Sequence, residues 1–153
     1  MMRLRPDYRN SDVIDNKRNY SGTVSTAKTE YRVLETRGNA SLVLVKPHTG
    51  VKHQIRAHLG FGLGTPILGD HKFSDIRQTG KPQRVHGDIL IRLGVRRSRA
   101  RDLPVYLHSK KLFLPGAELT GGERHTLAID TGLPNHFNKT MQKLKLSPKE
   151  LIQ

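Results

Sequence analysis

The sequence has no cysteine and no tryptophan, and aromatic residues make up only 5% of its 153 positions. Without cysteine there are no disulfides, no thiolate metal ligands and no thiol nucleophile. With so few aromatics, the core has to be built mainly from aliphatic side chains. Acid is scarce as well: 13 Asp and Glu stand against 27 Lys and Arg, a formal net charge of +14. That imbalance favours a polyanionic partner, nucleic acid ahead of an anionic membrane surface. No apolar run approaches the roughly 18 residues of a membrane span. The first twenty residues hold three aspartates and no apolar segment, so they read neither as a secretory signal nor as an organellar presequence.

What is present fits one domain or a large part of one. Residues 1–30 are polar, with few apolar positions, and read as a flexible lead-in. Tyr31–Glu35 and Ala40–Val45 flank Gly38-Asn39, which predicts a β-hairpin whose second strand is well buried. Thr49 stands where an N-cap would. Val51, Ile55 and Leu59 then form an apolar stripe at helical spacing, with Lys52 and Arg56 four apart beside it. Two like charges at that spacing repel, so an anionic group is expected nearby. Gly60, Gly62 and Gly64 limit the helix, and Thr65–Asp70 reads as a turn.

Further on, His71–Gly87 looks like a surface loop, and Ile89–Arg101 a helix with Arg92, Arg96 and Arg99 along one stripe. Five arginines and no acid fall between Arg92 and Arg101, which points to phosphate contact. Val105–Leu114 has strand character and should end at Pro115-Gly116. One or two strands follow around Gly121-Gly122, and a short amphipathic helix lies near the C-terminus. Strands in runs with few helices predict an α+β fold on a mixed, mostly antiparallel sheet.

Several chemistries find no support. His48, His53 and His58 are spaced by five, which turns helical side chains about 140° apart and prevents convergence on one metal ion. The glycines at 60, 62 and 64 do not have dinucleotide-loop spacing, and Pro66 interrupts any helix after them. Neither a phosphate-binding loop nor a GxSxG elbow occurs.

The run Thr49-Gly50-Val51-Lys52-His53-Gln54-Ile55-Arg56-Ala57-His58-Leu59 resembles the TG-x-x-HQIR-x-H-L motif of RluA-family RNA pseudouridine synthases. Pro66–Asp70, with Lys72-Phe73, continues the likeness in register. Leu107-His108-Ser109 through Leu114-Pro115, and Leu133-Pro134 with Phe137, resemble later family segments. The variant with Val51-Lys52 is most similar to the family's mitochondrial members.

The resemblance implies a pseudouridine-synthase-like fold and an isomerase that needs no cofactor or metal. Such an enzyme breaks the uridine C1′–N1 bond, turns the base and rejoins it through C5. It also implies RNA as partner, ribosomal, transfer or messenger, with no membrane, and a mitochondrial location. Arg56 would pair with the catalytic aspartate of the family's HRLD motif, keeping it ionised. Ile55 would pack on the target base, and Lys52, His53, Lys72, Arg92, Arg96, Arg97 and Arg99 would contact RNA. HRLD itself occurs nowhere in this sequence, and Asp70, in the downstream block, is no substitute. Residues 31–153 are therefore expected to be the C-terminal part of a catalytic domain, inactive alone. The alternative is a non-catalytic basic RNA-binding module.

Overall fold

The computed structural model describes residues 10–13, 26–75, 81–118 and 124–147. Strand β1 (Asn10–Val13) pairs with β2 (Ala27–Arg37), which pairs with β3 (Ala40–Pro47), all antiparallel. Helix α1 (Gln54–Ala57) runs into a π-helical turn (His58–Gly62). Helix α2 (Gly87–Leu93) and a 3-10 turn (Arg97–Asp102) follow. Strands β4 (Lys111–Glu118) and β5 (Arg124–Asp130) form a separate antiparallel ribbon, and α3 (Asn135–Lys143) comes last. This is α+β as expected, and every strand pair among the described residues is antiparallel.

The β2–β3 hairpin turns at Gly38-Asn39, with Arg37 opposite Ala40. Gly38 supplies the positive φ, 60°, that a two-residue turn needs. A bulge between Val33 and Glu35 lets Leu34 face the core beside Leu42. The sheet begins at Ala27 and takes in Asn10–Val13, residues that lie within the stretch read as a lead-in. Strand β3 is less covered than its apolar run implied. Leu42 is buried, but Leu44, two residues on and on the same face, is exposed.

The core is aliphatic. Leu42, Ile89, Leu93, Leu144 and Leu146 form its buried centre, with Leu68, Val85, Val95, Leu103, Phe137 and Met141 around them. It joins the hairpin to α2 and to the end of α3. Each buried Leu or Ile contributes about 1.5–3 kcal/mol. The expected helix over Ile89–Arg101 is instead a two-turn helix and a separate 3-10 turn. Gly94, at φ 70°, ends α2, and the Val95 amide reaches back to the Leu90 carbonyl, closing a Schellman cap. The arginine stripe at helical spacing is therefore not formed.

Helix α3 starts at Asn135 and closes in the same way, with Leu146 N–H donating to the Met141 carbonyl. Strand β4 does not stop at Pro115-Gly116. The irregularity between Leu114 and Ala117 absorbs the proline, and the ladder resumes. The ribbon leaves Leu112, Phe113, Leu114 and Ile129 exposed. Gly121-Gly122 lie outside the described residues.

Candidate functional site

The site is assembled around α1. Thr49 does not cap it. The N-cap is His53, at φ 61° in the left-handed region, and Val51 and Lys52 lie before the helix begins. The Thr49 hydroxyl donates instead to Gln54 Oε1 (2.6 Å) and accepts the Lys28 amide (2.9 Å). Gln54 Nε2 donates to the Lys28 carbonyl and to Thr29 Oγ1, both at 2.8 Å. One turn later His58 Nδ1 meets the same Thr29 hydroxyl at 2.8 Å. Gln54, His58 and Thr29 are all buried, and the bonds between them tie α1 and the π-helical turn after it to β2. Two motif residues that invite a chemical reading are therefore fasteners. Their spacing of four, which puts both on one helix face, is the signal that shows it.

With α1 fixed, Arg56 points along the neighbouring face. Its Nε donates to Asp70 Oδ2 and its Nη2 to Asp70 Oδ1, both at 2.8 Å. This is a two-pronged pair that matches the planar guanidinium to the planar carboxylate. Asp70 is 0% exposed and the Arg56 side chain 23%. Asp70 Oδ1 also accepts the amides of Lys72 (3.2 Å) and Phe73 (3.1 Å). Burial by itself would raise the Asp70 pKa. The Arg56 hydrogen bonds, the Phe73 amide and the Arg56 charge outweigh it and hold the carboxyl below its ordinary value. Arg56 is correspondingly held above its own.

The sequence assigned Arg56 to a carboxylate outside the chain and set Asp70 aside. Within the chain, Asp70 is its partner. Asp70 still does not replace a reactive aspartate. It is sealed from solvent, and four donors occupy its two oxygens, so it orients the guanidinium and cannot attack a substrate. Nε and Nη2 are the nitrogens it engages, which leaves Nη1 for another acceptor.

The turn that delivers Asp70 depends on two glycines and one buried amide. A Cβ on Gly60 would sit 1.7 Å from the Phe73 carbonyl oxygen, and one on Gly69, at φ 80°, would sit 1.9 Å from that of Pro104. Gln83 donates from Nε2 to the Ile67 carbonyl (2.9 Å) and accepts the Gly69 amide at Oε1 (2.7 Å). The stretch read as a surface loop thus holds a buried clamp on the Asp70 turn, and its end, Gly87, already belongs to α2.

Phe73 lies under the site. The Arg56 guanidinium carbon is 4.7 Å from its ring centre and the Lys72 ammonium 5.6 Å. The His53 and Phe61 rings each lie 5.3 Å from it, tilted. His53 is held below its ordinary pKa, first by burial and then by the charges of Lys72, Arg56 and Lys52. At neutral pH it presents a neutral imidazole, not a cation. Ile55 is half-buried on α1, and Lys52 and Lys72 are exposed.

The second group of predicted residues divides. Arg92 is taken up by the fold: Nη1 donates to the Arg37 carbonyl (3.2 Å) and Nη2 to that of Leu144. Both bonds tie the hairpin and the C-terminal segment to α2, so its predicted phosphate role gives way to a packing one. Arg96, Arg97 and Arg99 are exposed, and Arg99 pairs with Asp102. The described residues contain no group of histidines and acids placed to hold a metal ion.

Comparison with known proteins bears on the family of the chain. A family model described as RNA pseudouridylate synthase matches residues 4–60. The chain is 39% identical over 145 residues to Pseudouridylate synthase RPUSD4, mitochondrial, of Rattus norvegicus, and to the same degree to that of Homo sapiens. Each alignment covers 95% of this chain and 37% of the relative. It is 32% identical to the Mitochondrial mRNA pseudouridine synthase Rpusd3 of Mus musculus, over 81% of this chain and 39% of that protein. The solved structure of Human RNA Pseudouridylate Synthase Domain Containing 4 superposes with a TM-score of 0.70 at 34% identity. That match covers 94% of this chain and 50% of the solved one. The chain thus spans little more than a third of the length of the first two relatives.

Proposed function

Since this chain belongs to the RNA pseudouridylate synthase family, we propose that it supplies the arginine-bearing wall of a uridine site in RNA. The observation that carries this reading is the Arg56 guanidinium, fixed by the sealed Asp70 carboxylate with one nitrogen to spare. In that arrangement Nη1 meets the reactive aspartate of an HRLD segment and holds it ionised. Asp70, Phe73 and the Gln54–Thr29–His58 fasteners keep Arg56 from collapsing onto it. Ile55, beside Arg56 on α1, packs on the target base, and the exposed Lys52 and Lys72 contact the RNA backbone. His53, being neutral, contributes a ring or a hydrogen bond and not a charge. The relatives are named as mitochondrial, and we extend that location to this chain.

Because the sequence contains no HRLD, the chain by itself should not turn over. Tritium release from RNA labelled at uridine C5 should stay at the blank. Turnover would mean that another group attacks the uridine. A chimera separates a catalytic wall from a plain RNA-binding module. In it, this chain replaces the matching part of the human relative. Release of tritium is expected. Arg56→Ala in the chimera should abolish it with RNA affinity changed by no more than a few fold. A folded, RNA-binding but inactive chimera favours the binding module.

A further inference from the structure

Away from Arg56, two adjoining grooves of about 270 and 460 Å³ share Val95 and Leu103 in their lining. One is walled by Gly94, Arg96, Ser98, Arg99 and Asp102, from the 3-10 turn and the loop before it. The other is walled by Tyr106 and by Lys139, Thr140, Gln142 and Lys143 of α3. Cations stand on both sides of the shared lining. The only acid in either groove is Asp102, which is already paired with Arg99. Residues 131–147 carry three lysines and no acid at all.

The grooves are tied to the turn that delivers Asp70. His71 Nε2 bonds the Arg101 carbonyl (3.1 Å), and the Tyr106 amide donates to the Leu68 carbonyl (2.9 Å). The Tyr106 hydroxyl accepts from Thr140 (2.8 Å), which fixes the ring against α3 in the groove lined by Lys139 and Lys143. His136 and Phe137 lie 5.7 Å from the same ring.

We infer that this double groove binds a single-stranded stretch of RNA, with phosphates on Arg96 and Lys139 and a base against Tyr106. A basic channel with an aromatic face fits single-stranded nucleic acid. A duplex would bury its bases and have no use for the ring. An acidic protein would want the charges but no stacking plane. The inference rests on the proposed function only in taking the anion to be RNA.

The experiment is equilibrium binding of the full chain to a labelled single-stranded oligoribonucleotide, and to a duplex of the same length, across a salt series. Arg96→Ala with Lys139→Ala should weaken single-strand binding about tenfold and reduce the salt slope by about 1.4, two contacts' worth. Lys46→Ala with Lys81→Ala, two exposed cations elsewhere, should change affinity less than about twofold. Tyr106→Leu should weaken binding about fivefold or more at unchanged slope, whereas Tyr106→Phe should match the parent. Equal losses from the two double variants would overturn the groove in favour of a diffuse positive field. Tighter duplex binding, or no loss with Tyr106→Leu in a chain that melts normally, would overturn the single-strand reading. Arg56 is untouched and no turnover is needed, so failure here leaves the uridine-site reading standing, and the reverse holds.

Discussion

Arg56 and Arg99 are both arginines beside aspartates, yet the two pairs are different objects. Asp70 has no contact with solvent and is bonded by four donors. Asp102 is 55% exposed, and its partner Arg99 74%. In the first pair the guanidinium cannot leave without stranding a buried charge. In the second either partner can exchange the other for water at almost no cost. Arginine in a basic sequence therefore means little until the burial of its acceptor is known. Arg92, which donates to two backbone carbonyls, sits between these extremes.

The sharpest way to break the contrast is to remove the space that lets the Asp70 turn close. Gly60→Ala drives a methyl group into the Phe73 carbonyl. It should cost more than about 4 kcal/mol, most of the stability of a domain at the low end of the usual range of about 5–15 kcal/mol, as a urea melt would show. Next comes Asp70→Asn, which leaves Arg56 partly buried without a counter-charge. About 3–5 kcal/mol of stability should go. Arg92→Ala, which frees two carbonyls from a charged donor, should cost about 1.5–3 kcal/mol. Arg99→Ala should be nearly silent, within about 0.5 kcal/mol. If Arg99→Ala cost as much as Asp70→Asn, burial would not be the variable that separates the two pairs.

Acidification probes the same difference without mutation. Asp70 titrates below its ordinary value in the folded chain, so the folded state binds fewer protons than the unfolded one as pH falls through the carboxylate range. The stability it contributes is present above its unfolded pKa, about 3.9, and disappears as pH falls towards the folded value. His53, also lowered, acts earlier. Folding opposes its protonation, so stability falls as pH drops below about 6.5. Melts of His53→Gln should lack the earlier decline and keep the later one.

Much of the frame was legible because its signals are local. Gly38-Asn39 between two apolar strands specified a turn that the structure reproduces. The poverty in aromatics foretold an aliphatic core. The motif blocks named the family. What escaped was whatever depends on residues distant in sequence. Asp70 is 14 residues from Arg56, and the turn that brings the two together closes only through two glycines and the Gln83 amide. Gln83 looked like loop because nothing local says that its amide fits between Ile67 and Gly69. The break at Gly94 was readable in principle, since a glycine followed by an apolar residue marks a helix end, but the arginine periodicity masked it. The burial of β3 was overestimated because an apolar run does not say how many layers cover it.

The left-handed backbone at His53 sets a trap for anyone wishing to make this polypeptide hardier. Holding a residue with a Cβ there costs on the order of 1 kcal/mol. A stability-minded designer would insert glycine, gain that amount, and count it a success. The same swap deletes the imidazole that leans on Phe73 beside Arg56. Robustness and competence are opposed at this one backbone torsion.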